Sequence, residues 1–325
     1  MATEIISIGL LLDRQRALSV ALWAVGGALY VTLWAAYVAR AVLWRSRLWA
    51  DLIDPARAFG FFTLVAGSEV LGTRSLLGHL PGVALALGIV GSALWLGLMY
   101  LVLIALVLRE PSTPWRAVNG AWLIAIVGVQ SIAAFAAAAI APVGAAAGLL
   151  ALSAFTSWSI GILLYVVFIT LIMARLFFHP VHPADMQPPY WINMGATAIS
   201  ALAGSRLLLV ARPVAFLVAV RPFVEGLTVM IWAWGSWWVP FLVIVGIWKY
   251  VLAREPIRYH PSQWSVVFPL GMYGVATRTF SGITGLGGLR DLGVAFVWIA
   301  LAAWLALCGA FAAGALGGRR RLAPK

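Results

Sequence analysis

Residues 117–174 read AVNGAWLIAIVGVQSIAAFAAAAIAPVGAAAGLLALSAFTSWSIGILLYVVFITLIMA, and none of them carries a charge. A helix that spans a bilayer needs about 20 apolar residues, so this run is too long for one helix. Pro142-Val143-Gly144 lies near its middle, and Pro and Gly together are strong turn signals. The run therefore predicts two membrane-spanning helices that form a hairpin, with the break at these three residues.

Seven further apolar runs flank this hairpin, and only one of them contains a charged residue, Glu69. The runs are Ala17–Ala39, Ala58–Thr73, Pro81–Leu108, Met186–Ser205, Gly226–Trp248, Tyr259–Thr277 and Leu292–Gly318. Short connections separate them, which favours antiparallel helical hairpins. Together with the central pair they predict nine complete spans.

The segment Met1–Leu12 is apolar but too short to span, and it lacks the charged start of a signal peptide. We interpret it as the second half of a first transmembrane helix. The expected fold is therefore all-α and integral to the membrane, with ten transmembrane helices as five helical hairpins and the first helix truncated. We expect roughly ten to twenty further residues before Met1 in the native protein.

The composition excludes several classes of protein. Of the 325 residues, 63% are hydrophobic and 10% are charged, and the mean hydropathy is +1.00. Soluble domains are roughly 45–50% apolar and about 25% charged. A soluble enzyme, a disordered chain and a membrane-anchored globular domain are therefore excluded.

The charge balance indicates orientation rather than nucleic-acid binding. The chain has 22 Lys and Arg residues against 10 Asp and Glu, and no basic run is interleaved with stacking aromatics. The richer share of Lys and Arg falls on the side of the C-terminus, which predicts a cytoplasmic C-terminus in a multi-pass protein of the cell membrane. We expect one transmembrane domain, residues 1–318, and a basic tail, residues 319–325.

The odd-numbered predicted helices share a pattern of small and polar residues at mid-membrane. Their centres align in a column that steps by roughly 60 to 75 residues, the length of one helical hairpin. The column is Glu4, Glu69, Gln130, Ala198 (with Thr197 beside it) and Tyr273. Polar residues in a bilayer are costly unless they face protein or water. The repeat therefore predicts a central ring of odd helices around a polar path, although close packing of a solid bundle is an alternative explanation.

Three segments carry a resemblance to a known family. They are Tyr190–Gly204 (YWINMGATAISALAG), Trp264–Thr277 (WSVVFPLGMYGVAT) and Met1–Ile8 (MATEIISI). They resemble the seventh, ninth and first helices of the tellurite-resistance/C4-dicarboxylate transporter family. This family includes bacterial tellurite-resistance proteins, fungal malic acid transporters and the slow anion channels of plant guard cells.

The resemblance implies odd helices that line a pore, a homotrimer, and a pore closed midway by a Phe of the ninth helix. Phe268, next to Pro269, is the best match to that gate. Glu4 and Glu69 depart from what an anion path favours, because a bare carboxylate repels an anion. They must be protonated, paired with Arg or turned away from the lumen, which favours proton coupling.

Three arginines lie shortly after the polar centres of their helices: Arg74, Arg206 and Arg278. They predict an electropositive vestibule on the outer side that attracts small anions, with Arg74 a candidate partner of Glu69. The alternative explanation is that these long side chains reach to the membrane interface.

Nothing in the sequence points to enzyme chemistry, a metal site or a cofactor. The four histidines lie in loops or at span ends, and His179-Pro-Val-His182 is better explained as a solvated loop than as a metal site. Haem ligation needs His on facing helices. The single cysteine, Cys308, excludes an intrachain disulfide.

The leading hypothesis is a transporter of small anions. One version is a carrier of C4-dicarboxylates or of an oxyanion such as tellurite or sulfite, coupled to protons. A second is a passive gated channel for chloride or nitrate, and a third is a membrane assembly subunit that transports nothing. The sequence does not identify the anion, because selectivity depends on pore radius and field.

Overall fold

The computed structural model describes residues 1–108, 115–210, 214–257 and 259–322, and its described part is helical with no strand. Eleven α-helices follow one another along this described chain. They are α1 (Ala2–Leu12), α2 (Arg16–Leu43), α3 (Arg45–Leu52), α4 (Phe62–Leu77), α5 (Pro81–Leu108), α6 (Ile124–Val143), α7 (Ala147–Phe178), α8 (Ile192–Leu208), α9 (Ala215–Ile247), α10 (Trp264–Thr284) and α11 (Gly287–Leu322). The all-α fold is confirmed. The last residues of the predicted tail, 323–325, lie outside the described part.

The predicted break in the long apolar run is confirmed. Helix α6 ends at Val143, and Gly144 takes a positive φ of 41°, which a residue without a Cβ adopts easily. Helix α7 begins three residues later. The short helix α3 was not expected from hydropathy, because half of its sequence RSRLWADL is polar.

Six helices of the described chain are long and apolar enough to cross a membrane: α2, α5, α6 with the turn before it, α7, α9 and α11. Helices α1, α4, α8 and α10 are not among them. They are shorter or carry more polar residues.

Burial divides the ten longer helices into two sets. In α1, α4, α6, α8 and α10, the inner helices, nearly every residue of the middle turns is buried. In α2, α5, α7, α9 and α11, the outer helices, buried residues form a narrow stripe. On α5 that stripe is Ala84, Gly88, Gly91, Trp95, Met99 and Val102. This spacing marks one helix face, and the opposite face is exposed and apolar, as a lipid-facing surface requires.

The inner helices contact one another in a closed order. Helix α1 packs on α4, α4 on α6, α6 on α8, α8 on α10, and α10 again on α1. Each inner helix also packs on the outer helix that follows it, giving the pairs α1 with α2, α4 with α5, α6 with α7, α8 with α9, and α10 with α11. The chain thus forms an inner ring with an outer helix behind each member.

Two glycines allow the closest approach in this arrangement, between α10 and α11. A Cβ on Gly274 would lie 2.8 Å from the carbonyl oxygen of Gly293, and a Cβ on Gly293 would lie 2.7 Å from that of Gly274. Backbone atoms cannot move aside as side chains can. This pair therefore sets the distance between the last two helices.

Ion pairs of Asp51 connect α2, α3 and the segment before α4. Asp51 pairs with Arg40 and with Arg57, the latter at 2.8 Å. The hydrogen bond from Arg57 holds the pKa of Asp51 below its ordinary value. These ion pairs fix the connection that leads from the first helix pair to the second.

Candidate functional site

A narrow space lies between the inner helices, and all five of them contribute to its wall. Its lining consists of Ile5, Ile8, Val70, Thr73, Ser131, Ala134, Ile199, Leu202, Arg206 and Met272. We call this volume the central space. It is mostly apolar, with two hydroxyl side chains and one cation.

The lining follows a regular register. Helices α1, α4, α6 and α8 each contribute two residues three positions apart, such as Ile5 with Ile8 and Val70 with Thr73. Residues at this spacing lie on one helix face. The four helices therefore present equivalent faces to the central space, as members of a repeat do.

The predicted column lies beside this lining in sequence. Glu4, Glu69 and Gln130 directly precede lining residues, and Tyr273 directly follows Met272. Adjacent residues on an α-helix point about 100° apart, since one turn takes about 3.6 residues. The column residues consequently point toward the outer helices. The residues next to them in sequence, which are mostly apolar, face the central space.

Glu4 and Glu69 occupy equivalent sites in the first two helix pairs. The Glu4 carboxyl lies against Gly26 of α2, and the Glu69 carboxyl lies against Gly91 of α5. The two side chains are 2% and 0% exposed, and neither carboxyl has a hydrogen bond of normal geometry to a described residue. Ser92 lies beside Glu69. Each glycine leaves the volume that its carboxyl fills.

Gln130 takes the same position in the third pair. Its amide lies against Gly161 of α7, and Nε2 donates to the carbonyl oxygen of Trp158 at 3.1 Å. We call this position between an inner helix and the outer helix behind it a slot. The slot of Gln130 offers a backbone acceptor to a neutral side chain.

The last two members of the column are also held by contacts with outer helices. Thr197 lies against Gly235 of α9, and its hydroxyl donates within α8 to the carbonyl oxygen of Asn193 at 3.0 Å. The hydroxyl of Tyr273 lies 2.8 Å from that of Ser236, and its ring packs on Phe296.

The three predicted vestibule arginines occupy different surroundings. Arg206 lines the central space, and Nη1 donates to the carbonyl oxygen of Ala134 at 2.9 Å. Arg74 is 2% exposed, donates to the hydroxyls of Ser7 (2.9 Å) and Ser19 (3.1 Å), and stacks on Trp23.

Arg278 pairs with Asp13 and donates to the carbonyl oxygen of Leu12. Arg278 therefore binds the α1–α2 connection, whereas Arg74 binds α1 and α2 themselves. Among the described residues, Arg206 is the one member of the three that lines the central space.

Phe268 lies one turn before Met272 on α10 and is 1% exposed. Residues four apart share a helix face, so Phe268 lies on the face that Met272 presents to the central space. The next residue, Pro269, lies close to α8, where a Cβ on Gly195 would be 3.0 Å from its Cγ. A glycine of α8 therefore allows α8 to approach this turn of α10 closely.

The arrangement favours a small anion over a cation. The described lining contains Arg206 and no carboxylate, and a charge in a narrow apolar passage acts through a low dielectric. No group of three or more His, Cys, Asp or Glu side chains in the described chain is placed to hold a metal ion.

Comparison with known proteins agrees with this geometry. The family model described as "SLAC1: Voltage-dependent anion channel" matches residues 1–312. An uncharacterised membrane protein of Mycobacterium tuberculosis is 45% identical over 142 residues, which are 43% of this chain and 71% of that protein. A protein described as an uncharacterised transporter of Methanocaldococcus jannaschii is 25% identical over 82% of this chain and 76% of its own length.

Proposed function

This chain belongs to the SLAC1 family of voltage-dependent anion channels, and from that premise we propose that small anions cross the membrane through its central space. The family membership confirms the resemblance found in the sequence and makes the chain a membrane protein of anion transport. The anion, the gate and the energy coupling are proposals.

We propose that the ten longer helices all span the bilayer, as five hairpins around a pore. The closed order of contacts among α1, α4, α6, α8 and α10 supports this arrangement. Polar and short helices are tolerated in a bilayer when other helices shield them. The five outer helices, all of them long and apolar, supply that shield.

The observation that carries the proposal is Arg206, a cation in a lining without carboxylates. A guanidinium has five N–H donors, and one of them is engaged by Ala134. No other acceptor among the described residues engages the remaining donors, so they are available to an anion that has shed part of its water. Arg206 therefore attracts anions into the pore and rejects cations.

Flux into reconstituted vesicles tests this role. We expect Arg206→Gln to lower chloride or nitrate flux by at least about tenfold, since a unit charge a few ångströms away is worth several kcal/mol in such a site. Arg206→Lys should retain part of the flux. Arg221→Gln is the matched control, because Arg221 is an exposed arginine of α9 that donates to Leu208 outside the central space. Equal flux in all four proteins would contradict the proposal.

We propose that Phe268 closes the pore. Its position on the face of Met272, next to a proline that Gly195 of α8 approaches closely, supports a ring that plugs a narrow passage. An apolar plug stops ions by excluding water and needs no charge.

Two versions of transport have separate support. Glu4 and Glu69, buried with no hydrogen bond of normal geometry to a described residue, favour a proton-coupled carrier of C4-dicarboxylates or of oxyanions such as tellurite or sulfite. The family description and the orientation of both carboxyls away from the lining favour a passive channel for chloride or nitrate. Uptake of each anion with and without an imposed proton gradient separates the two. Absence of flux for every anion would favour an assembly subunit.

We further propose that the protein acts as a homotrimer in the cell membrane with its C-terminus in the cytoplasm. The trimer follows from the family resemblance, and the orientation follows from the distribution of Lys and Arg.

A further inference from the structure

A second, larger cavity lies on the outside of the helix ring, at the end of α9. It has a volume of about 540 Å³ and is bounded by the end of α9, the turn before α8, the start of α10, and α11. We call it the lateral crevice. It does not share lining residues with the central space.

The lateral crevice opens toward the apolar exterior. Its lining includes Val243, Ile247, Val251 and Ile257, which are 46%, 50%, 64% and 76% exposed. Side chains of this kind on the outer face of a membrane protein contact lipid. Whatever fills the crevice in a bilayer must therefore offer apolar surface to most of its wall.

One end of the crevice is positively charged. Lys249 lines it, and Nζ donates to the carbonyl oxygen of Met186 at 2.9 Å. An ammonium has three N–H donors, so two remain. Lys249 lies in a π-helical turn, Trp248–Leu252, that directly follows α9.

The charged residues close to Lys249 in sequence leave a net positive charge in this segment. Arg254 follows five residues later, and Glu255 is the acidic residue of the same segment. The backbone N–H of Glu255 donates to the Lys249 carbonyl, and its carboxylate forms no ion pair with Lys249 in the described chain. The ring of Tyr250 lies 5.3 Å from Nζ.

We propose that the lateral crevice binds one anionic phospholipid, with the phosphate at Lys249 and an acyl chain along the apolar wall. A basic group at the membrane boundary next to an apolar groove matches the two parts of such a lipid. A second copy of this chain is the competing occupant. It would need to bring both apolar surface and an anion to Lys249, and the outer helices of the described chain expose few carboxylates.

Native mass spectrometry of the purified protein with added phosphatidylglycerol or phosphatidylcholine tests the proposal. We expect retention of one phosphatidylglycerol per chain and weaker retention of phosphatidylcholine. Lys249→Gln should lower phosphatidylglycerol retention about fivefold, the effect of one cation near an anionic lipid. Arg47→Gln, which removes an exposed cation of α3, is the control for charge and should change nothing.

A second pair of variants tests the apolar wall. Ala306 lines the crevice, whereas Ala302, one turn earlier on α11, is exposed and does not line it. We expect Ala306→Trp to displace the lipid and Ala302→Trp to retain it, with both proteins folded because both positions are exposed. Equal lipid retention in Lys249→Gln, Ala306→Trp and the parent would overturn the proposal. Loss of oligomer with unchanged lipid in Ala306→Trp would assign the crevice to a second copy instead.

Discussion

At the scale of single residues, Gln130 shows what the slots around Glu4 and Glu69 accept. It fills the equivalent slot of the third helix pair with a neutral amide that donates to a backbone carbonyl. A buried carboxyl without partners is strongly disfavoured when ionised. We therefore interpret Glu69 as a protonated acid that fits the same slot as Gln130 does.

This interpretation predicts the behaviour of Glu69→Gln. Because the amide mimics the neutral acid, we expect a folded protein with the parent's thermal stability. If Glu69 couples transport to protons, flux in the variant should no longer depend on pH. Anion uptake measured from pH 5 to 8 decides this, and an unchanged pH profile would remove Glu69 from the mechanism.

Phe268 is expected to act on flux rather than on stability. Phe268→Ala should raise anion flux in vesicles, because the ring that excludes water from the passage is lost. Phe135→Ala is the matched control: Phe135 is also buried, but it packs against Gly88 of α5. That variant should lose about 3–5 kcal/mol of stability and gain no flux. A poorly folded Phe268→Ala, or one without added flux, would return Phe268 to a packing role.

Sequence reasoning aligned the polar residues of the inner helices but did not identify the face on which they lie. Small and polar residues are tolerated wherever protein shields them, so the same pattern fits a lumen and an interface between helices. Gly26 and Gly91, which receive the two carboxyls, lie on the outer helices and carry no signal of that role in their own sequence. The pairing of Arg74 with Ser7 and Ser19 is likewise a product of tertiary packing.

At the scale of elements, hydropathy and turn signals predicted the helices well. The break after Val143 and the apolar outer helices followed from residues alone. The short helix α3 did not, because neither hydropathy nor a strong cap marks it. The lining of the central space also required the structure, since it depends on rotation of each helix about its axis.

The close approach of α10 and α11 gives a prediction about Gly293. Gly293→Ala would place a methyl group 2.7 Å from the Gly274 carbonyl oxygen and 2.8 Å from the backbone nitrogen of Arg278. Because backbone atoms must shift, we expect a loss of about 1–3 kcal/mol. Thermal unfolding of the purified protein measures this loss.

Gly309→Ala is the control on the same helix. A Cβ there meets no atom within 4 Å, and Ala is a better helix former than Gly by about 1 kcal/mol. It should therefore be neutral or stabilising. Equal unfolding temperatures for the two variants would show that the contact between the glycines does not set the helix distance.

At the scale of the whole molecule, we expect three chains of 34.8 kDa to associate. The outer helices expose a continuous apolar surface that suits lipid or another copy, and the family resemblance favours three copies, each with its own central space. Native mass spectrometry in a mild detergent should give a mass of three chains. A monomer that retains full anion flux would show that assembly is not required for transport.

The closure of the inner ring by its first and last members has a consequence for biosynthesis. Trp304 of α11 donates to the hydroxyl of Thr3, and Ile5 packs at Gly271 of α10, so the two ends of the chain complete the barrel of helices. A ribosome adds roughly 5–20 residues per second, so α1 waits for tens of seconds before its last neighbour emerges. During that wait one side of α1 faces the bilayer or the insertion machinery. A nascent chain arrested before α10 would form an incomplete ring of helices that is open to the bilayer on one side. Translation of the final hairpin would close this ring.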